Sequence, residues 1–266
     1  MKIIDFHTHP TWFNTSTRKI GVDPSLESFI EVMKLSGITM FCGSAIDVEL
    51  INSGKDYLSV IRALNERIFA AAEKYPDVIV PGIHVHSEYV SGSIEEIEKY
   101  SKKGLRLVGE LVPYMLGGKR LEDPRAFGAA SYLEPGFLEI FKVCEEKGLL
   151  LSIHTSTPEE GRELAKRFKN LNIVMAHAGP VDSFIERVAA VKAHDNLYFD
   201  ISGSGTFAQG VVEYAYKELG KEKILFGSDY PGYPPSAFVG IVSCADIPDE
   251  AKEYIFYKNA ERLLGF

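Results

Sequence analysis

Near its start the chain reads Lys2-Ile3-Ile4-Asp5-Phe6-His7-Thr8-His9-Pro10, an apolar run that ends in His-x-His and is stopped by proline. This composition favours a β-strand, in which the side chains of residues two apart point to the same face. We therefore expect His7 and His9 to lie side by side at the carboxyl end of a first strand. Two neutral imidazoles on one rigid strand can provide two metal ligands, although the motif alone also fits ordinary polar residues at the edge of a core.

The rest of the chain alternates short apolar runs with longer amphipathic segments, which predicts eight strands that are each followed by a helix. The strands after the first are expected at residues 38–44, 78–85, 105–111, 149–153, 171–175, 197–201 and 224–226. The helices are expected at residues 24–36, 55–75, 92–103, 135–147, 158–168, 181–194, 207–219 and 249–264. Eight such units fit a (β/α)₈ TIM barrel of the α/β class better than a doubly wound sheet, and we expect residues 1–266 to form this single barrel domain.

Composition and charge narrow the class of protein. The chain has 266 residues, of which 45% are hydrophobic and 25% charged, as is ordinary for a globular protein. The net charge of −8 argues against an extended nucleic-acid or anionic membrane surface, and no apolar run is long enough to predict a membrane span. We therefore expect a small-molecule substrate and no nucleic-acid or membrane partner, and the sequence leaves open whether the protein is a homo-oligomer.

The cysteines indicate the cellular compartment and the type of metal ligand. There are three of them, Cys42, Cys144 and Cys244, which are far apart and odd in number. Such usage favours a reduced cytoplasmic protein over a disulfide framework. It also excludes a cysteine-rich zinc site, so that any metal would be held by nitrogen and oxygen ligands.

Histidines and carboxylates recur at the carboxyl ends of the predicted strands, where a barrel of this type builds its active site. These residues are His7, His9, His84, His86, Glu110, His154, His177, Asp200 and Asp229. Six of the seven histidines lie at these ends, and only His194 falls on a predicted helix. Histidines scattered at random would rarely give this arrangement, so the combination is far more specific for a metal site than any one motif.

The motifs at these strand ends resemble the amidohydrolase superfamily, and within it the amidohydrolase-related branch. They are Ile4-Asp5-Phe6-His7-Thr8-His9-Pro10, Ile153-His154, Ala176-His177-Ala178-Gly179, Phe226-Gly227-Ser228-Asp229-Tyr230-Pro231 and the closing Tyr257-Lys258-Asn259-Ala260-Glu261-Arg262-Leu263-Leu264. The motifs span the whole chain in the order found in that family. The resemblance implies a metal-dependent (β/α)₈ barrel enzyme of the metallo-dependent hydrolase type, with His7, His9, His154 and Asp229 at the metal.

The same resemblance implies roles for His177 and Glu110. His177 would be a ligand of a second metal or an acid/base group. Glu110 falls where some members carry a bridging glutamate or a modified lysine. Because many single-metal members lack this bridge, either one or two ions are expected. The expected metal is zinc, with manganese as the alternative.

Further residues near the expected site have roles that the sequence leaves open. His84 and His86 would contact substrate or support the metal ligands, and a purely structural role is the alternative. Trp12 and Tyr114 lie in loops that follow strands, and we expect them to line the substrate pocket. Asp5 shares the strand face of the first two histidines but lies deeper, where it would bond to the ligands.

The resemblance favours a metal-dependent hydrolase that uses a metal-activated water on an amide, ester, lactone or related small-molecule bond. Asp229 would take the proton of the attacking water, and His177 would stabilise the oxyanion or hold the second metal. The alternative is non-oxidative decarboxylation of an aromatic or unsaturated acid on the same metal site, which arginines in the loops, such as Arg18, Arg120 and Arg125, would favour. A non-catalytic metal-binding barrel is a third reading, against which the presence of Asp229 argues.

Overall fold

In the computed structural model the described residues are 1–10, 25–51, 53–112, 131–154 and 157–266. They include eight strands, numbered in chain order: β1 Ile4–Thr8, β2 Met40–Ser44, β3 Ile79–Ile83, β4 Leu107–Leu111, β5 Leu150–Ile153, β6 Ile173–Met175, β7 Leu197–Asp200 and β8 Ile224–Leu225. Each strand pairs in parallel with the next one along the chain. All carboxyl ends therefore lie at one edge of the sheet.

Main-chain hydrogen bonds join β1 to the segment that follows β8 and so close the sheet. The N–H groups of Phe6 and His9 donate to the carbonyls of Phe226 and Tyr230, each at 2.8 Å. In the other direction, the N–H of Asp229 donates to the carbonyl of His7 at 2.8 Å. Eight parallel strands closed in this way, with helices between them, form a (β/α)₈ barrel, which confirms the predicted fold.

The helices of the described residues follow the strands as the amphipathic pattern predicts. They are α1 Leu26–Leu35, α2 Val48–Ile51, α3 Tyr57–Lys74, α4 Val90–Ser101, α5 Pro135–Glu146, α6 Pro158–Arg167, α7 Val181–Lys192, α8 Val211–Leu219, α9 Pro235–Cys244, α10 Asp249–Glu253 and α11 Asn259–Leu264. A π-helical turn, Tyr254–Lys258, makes α10 and α11 continuous. No helix in these ranges is long and apolar enough to cross a membrane.

Two helices, the single turn α2 and the longer α9, were not predicted from the sequence. The stretch Pro235–Cys244 contains no charged residue, so no polar face marks it as amphipathic. It also includes two valines, an isoleucine and Gly240, which have lower helix propensity than alanine or leucine. Its Pro235 at the first turn is a typical start for a helix, but this single signal is weak without the periodic pattern.

Two groups of buried side chains support the carboxyl ends of the strands. The larger group packs the outer faces of the strands against the helices. The smaller group takes residues from all eight strands: Ile4, Phe6, Cys42, Val80, Leu107, Leu150, Val174, Tyr198 and Leu225. Because every strand contributes, this group fills the barrel beneath the polar strand ends. The polar side chains at the strand ends thus rest on rigid elements, which fixes their mutual positions.

Candidate metal centre

Glu110, at the carboxyl end of β4, lies at the centre of the polar cluster and is buried. Its Oε2 atom lies 3.0 Å from Nε2 of His7 and 3.4 Å from Nε2 of His9. Its Oε1 atom lies 2.9 Å from Nδ1 of His154 and 3.4 Å from Nε2 of His177. Each oxygen of one carboxylate therefore faces its own pair of imidazoles.

Asp229, just after β8, joins the pair from β1. Its Oδ1 atom lies 3.5 Å from Nε2 of His9 and 4.0 Å from Nε2 of His7. Asp229 and His177 have φ angles of 59° and 67°, the left-handed region that residues other than glycine seldom adopt. Such backbone strain concentrates at functional sites, where the surrounding structure maintains it.

The six side chains form two groups that share Glu110. We call His7, His9, Asp229 and Oε2 of Glu110 the first half-site, and His154, His177 and Oε1 of Glu110 the second half-site. Imidazole nitrogens and carboxylate oxygens are ligands that suit Zn²⁺ and Mn²⁺. The donor set therefore fits one ion in each half-site, and the six residues that the resemblance placed at or near the metal form these two adjoining groups.

Hydrogen bonds on the far side of the imidazoles come from residues to which the sequence had given no role. Nδ1 of His9 lies 3.0 Å from the carbonyl oxygen of Ser44, and Nδ1 of His7 lies 2.9 Å from Oδ2 of Asp200. The hydroxyl of Ser202 lies between His7 and the second half-site. Of these residues only Asp200 had a signal in the sequence, as the last residue of a predicted strand.

Asp5 contacts the main chain rather than an imidazole of the cluster. Its Oδ1 accepts the N–H of His7 at 3.1 Å and the N–H of Ser228 at 3.0 Å. Burial raises the pKa of Asp5 to about 7, although these hydrogen bonds oppose the change. Asp5 therefore ties β1 to the segment after β8, and it supports the histidines through the backbone.

The two histidines that follow β3 lie outside both half-sites. Nε2 of His84 is 2.7 Å from the carbonyl oxygen of Ala45, and its buried Nδ1 has no hydrogen-bond partner among the described residues. Burial lowers the pKa of His84 to about 4, so this imidazole is neutral. Nδ1 of His86 accepts the N–H of Glu88 at 3.1 Å and so caps a short 3₁₀ turn. Substrate contact by either residue stays a prediction.

Two other predicted substrate contacts, Trp12 and Tyr114, lie outside the described residues. The same holds for Arg18, Arg120 and Arg125, the loop arginines considered for carboxylate binding.

A protein-family model described as amidohydrolase matches residues 4–266. The chain belongs to the amidohydrolase family. This confirms the resemblance carried by the strand-end motifs. No curated protein sequence matches the chain.

Solved structures with the same barrel cover nearly the whole chain. An uncharacterized TIM-barrel protein from Bordetella bronchiseptica is 21% identical, with a TM-score of 0.77 over 100% of this chain and 99% of its own. A 2,6-dihydroxybenzoate decarboxylase from Rhizobium is 14% identical, with a TM-score of 0.69 over 99% and 98%. A dihydroxybenzoic acid decarboxylase from Polaromonas sp. JS666, with bound manganese and 2-nitroresorcinol, is 14% identical, with a TM-score of 0.71 over 99% and 96%. At these identities the similarity shows the fold alone.

The buried histidines and carboxylates of the centre shift one another's pKa values. Burial lowers the pKa of His7, but the carboxylates of Glu110 and Asp200 outweigh burial and hold that pKa well above its usual value. Burial raises the pKa of Glu110, but the imidazoles around it outweigh burial and hold that pKa well below its usual value. Burial lowers the pKa of His177, but Glu110 outweighs burial and raises it above its usual value. For His154 burial outweighs the effect of Glu110, and the pKa is lowered.

Metal uptake should therefore release protons. Because the carboxylates hold the pKa of His7 well above its usual value, they favour the protonated ring in the metal-free centre, and an ion can bind its Nε2 only after that proton leaves. We expect release of about one proton from His7 and weaker metal binding as the pH falls. Calorimetric titration in two buffers of different ionisation enthalpy measures the released protons. Equal heats in both buffers would show that His7 binds metal without losing a proton.

Proposed function

We propose that the protein is a metal-dependent hydrolase in which Glu110 would help to hold two metal ions, one in each half-site. The observation that carries the proposal is that each oxygen of this buried carboxylate faces a separate pair of histidines. When bound, a divalent ion such as Zn²⁺ or Mn²⁺ polarises a substrate carbonyl or phosphoryl oxygen and lowers the pKa of water toward about 7. The buried acidic bridge supports binding of two cations, because it lies between their two sets of nitrogen ligands.

In this proposal Asp229 is the proton carrier of the reaction. Its side chain is 16% exposed, whereas that of Glu110 is 4% exposed, so Asp229 is the more accessible carboxylate of the centre. A general base must reach both the attacking water and the leaving group. Asp229 would take the proton from the water at a carboxylate oxygen and return it to the leaving group.

The second half-site is the more open side of the centre. The side chain of His154 is 27% exposed, compared with 1% for that of His7. We infer that substrate enters from this side, where His177 would stabilise the developing oxyanion or hold the second ion. Amides, esters and lactones of small molecules are the proposed substrates, and the net charge of −8 supports this choice over nucleic acid.

Non-oxidative decarboxylation of an aromatic or unsaturated acid is the second candidate function. It is supported by the shared fold with the dihydroxybenzoate decarboxylases from Rhizobium and Polaromonas. In that reaction Asp229 would supply a proton to the carbon that loses the carboxyl group. The position of Glu110 between the two pairs of histidines favours hydrolysis, because one ion without a bridge would be enough to hold a carboxylated substrate.

Metal analysis combined with a substrate screen separates the two candidates. The protein would be loaded with Zn²⁺ or Mn²⁺, freed of excess metal and assayed on amides, lactones, phosphoesters and aromatic carboxylic acids. Two ions per chain and turnover of one of the first three classes are expected. One ion per chain with release of CO₂ from an aromatic acid would replace hydrolysis by decarboxylation.

Replacing His7 and His9 together by alanine should abolish stoichiometric metal binding. The double substitution removes both nitrogen ligands of the first half-site and two of the imidazoles that face Glu110. The control is His194→Ala, which removes a histidine near the amino end of β7, away from the carboxyl ends. Metal content is measured by elemental analysis. Full metal content in the double variant would show that the centre lies elsewhere.

Gly203→Ala should empty the second half-site. Gly203 has a φ of 59°, and a Cβ there would lie 2.4 Å from Nδ1 of His177 and 3.1 Å from Oδ2 of Asp229. His177 must move, so we expect the metal content to fall from two ions toward one. The control Gly210→Ala has a φ of 86° with open space around its Cβ, and it adds about 1–2 kcal/mol of backbone strain without the clash. Equal metal content in both variants would contradict the prediction.

A further inference from the structure

Asp200 and Ser202 lie at the end of β7, against the edges of the imidazoles that point away from Glu110. Both side chains are fully buried. Oδ2 of Asp200 lies 2.9 Å from Nδ1 of His7, and Oδ1 accepts the N–H of His177 at 3.2 Å. Oγ of Ser202 lies 2.9 Å from Nδ1 of His177 and 3.1 Å from Nδ1 of His7. Asp200 and Ser202 therefore contact one histidine from each half-site.

The hydrogens in this group can be assigned by elimination. Oδ1 of Asp200 accepts the main-chain N–H groups of His177 and Ser202, so this carboxylate acts as an acceptor here. The hydroxyl of Ser202 donates its one hydrogen to Oδ1 of Asp200, its shortest contact. Its lone pairs then accept from Nδ1–H of His177, and Oδ2 of Asp200 accepts from Nδ1–H of His7. When each ring is neutral, as a metal ligand must be, Nε2 is left without a hydrogen, and Nε2 is the atom that faces Glu110.

We propose that Asp200 and Ser202 form a positioning unit that fixes the Nδ1–H tautomer of one ligand in each half-site. This inference rests on the proposed two-metal centre. Without the unit either ring could carry its hydrogen on Nε2, where it would block the ligand atom. Asp200 also accepts the N–H of His177, a residue in the left-handed conformation, so the same carboxylate orients both the ring of His7 and the backbone of His177.

The other two histidines do not depend on this unit, which makes the proposal selective. Nδ1 of His9 is held by the main-chain carbonyl of Ser44, which no substitution of a side chain removes. His154 presents Nδ1 itself to Glu110. Loss of the Ser202 hydroxyl should thus affect His177 most, because His7 keeps Oδ2 of Asp200 as its acceptor.

The test is a titration of the metal-free wild type, Ser202→Ala and Asp200→Asn with Co²⁺, followed by its visible absorption and by elemental analysis. The wild type should bind two ions. Ser202→Ala should bind the first ion as the wild type does and the second about 10–100-fold more weakly, the usual effect of losing a partner of a ligating histidine. Asp200→Asn should weaken the binding of both ions by a similar factor.

Ser152→Ala is the matched control for Ser202→Ala. Ser152 is a buried serine on β5, two residues before His154, and its hydroxyl has no hydrogen-bond partner among the described residues. Both ions should bind to this variant within about twofold of the wild type, since no ligand depends on the hydroxyl. If both serine variants bound the second ion equally weakly, the proposal would be overturned, because the loss of affinity would then come from altered packing.

The ¹⁵N chemical shifts of the imidazole nitrogens report the tautomers directly. In the ¹⁵N spectrum of the metal-free protein above the pKa values of the cluster, His177 should be protonated at Nδ1 in the wild type and should sample both tautomers in Ser202→Ala. A wild type that binds fewer than two ions would overturn the two-metal centre itself. If the wild type binds two ions and Ser202→Ala binds the second ion with the same affinity, the positioning unit alone would be overturned. If Asp200→Asn fails to fold, the result for Ser202→Ala is sufficient to decide this.

Discussion

Asp229→Asn should fold, retain most of its metal and lose about 10²–10⁴-fold in kcat on the true substrate, the usual contribution of positioned acid–base catalysis. Asparagine keeps the shape of the side chain and one oxygen, but it cannot accept a proton from water. The other members of the first half-site, His7, His9 and Glu110, are unchanged in this variant. The measurement is kcat with metal content determined on the same sample.

Asp249→Asn is the matched control for this substitution. The Asp249 side chain is fully exposed at the start of α10, so its loss should leave kcat unchanged. If Asp229→Asn turned over at nearly the wild-type rate with metal bound, Asp229 would not carry the proton. His177, which lies 3.4 Å from Glu110, would then be the next candidate.

Glu110→Gln should reduce the metal content from two ions to one or none. A glutamine offers one carbonyl oxygen and one NH₂ group, so it can accept toward only one pair of imidazoles and presents donors to the other. The substitution also removes the buried negative charge that faces four histidines. Elemental analysis of the purified variant measures the outcome, and any hydrolytic activity found in the substrate screen should fall with the metal content.

Glu96→Gln provides the control for losing a buried carboxylate. Glu96 lies on α4, is 3% exposed and accepts a hydrogen bond from Asn65 at 3.1 Å, away from the half-sites. We expect this variant to keep two ions. If Glu110→Gln also kept two ions, Glu110 would not bridge them, and the single observation behind the proposed function would be lost.

Much of the centre could be predicted because barrel geometry makes strand ends converge. His7 and His9 follow the two-residue period of a strand, and parallel pairing in chain order brings them to the same rim as His154 and Asp229. Neither step needs knowledge of distant packing. The eight strand–helix units were predictable for the same reason, since each has a local apolar pattern.

The pairing of atoms within the centre could not be predicted in this way. Which nitrogen of His154 faces Glu110 depends on the rotation of the imidazole ring. Which carboxylate oxygen it meets depends on the rotation of the Glu110 side chain. Asp200 ends a predicted strand, but only the folded structure shows that it contacts the outer edge of His7. Ser202 lies past the end of β7, in a segment whose path the strand pattern does not determine.

The closure of the barrel between β1 and the segment after β8 has a consequence for how the protein matures. The first half-site takes ligands from both sides of this seam, where Oδ1 of Asp5 accepts the N–H of Ser228, 223 residues further along the chain. During synthesis the histidines of β1 leave the ribosome long before Asp229 does. They cannot capture an ion with full coordination until the last strand docks. We therefore expect metal loading to follow completion of the polypeptide, and a bound ion would then stabilise the seam against reopening.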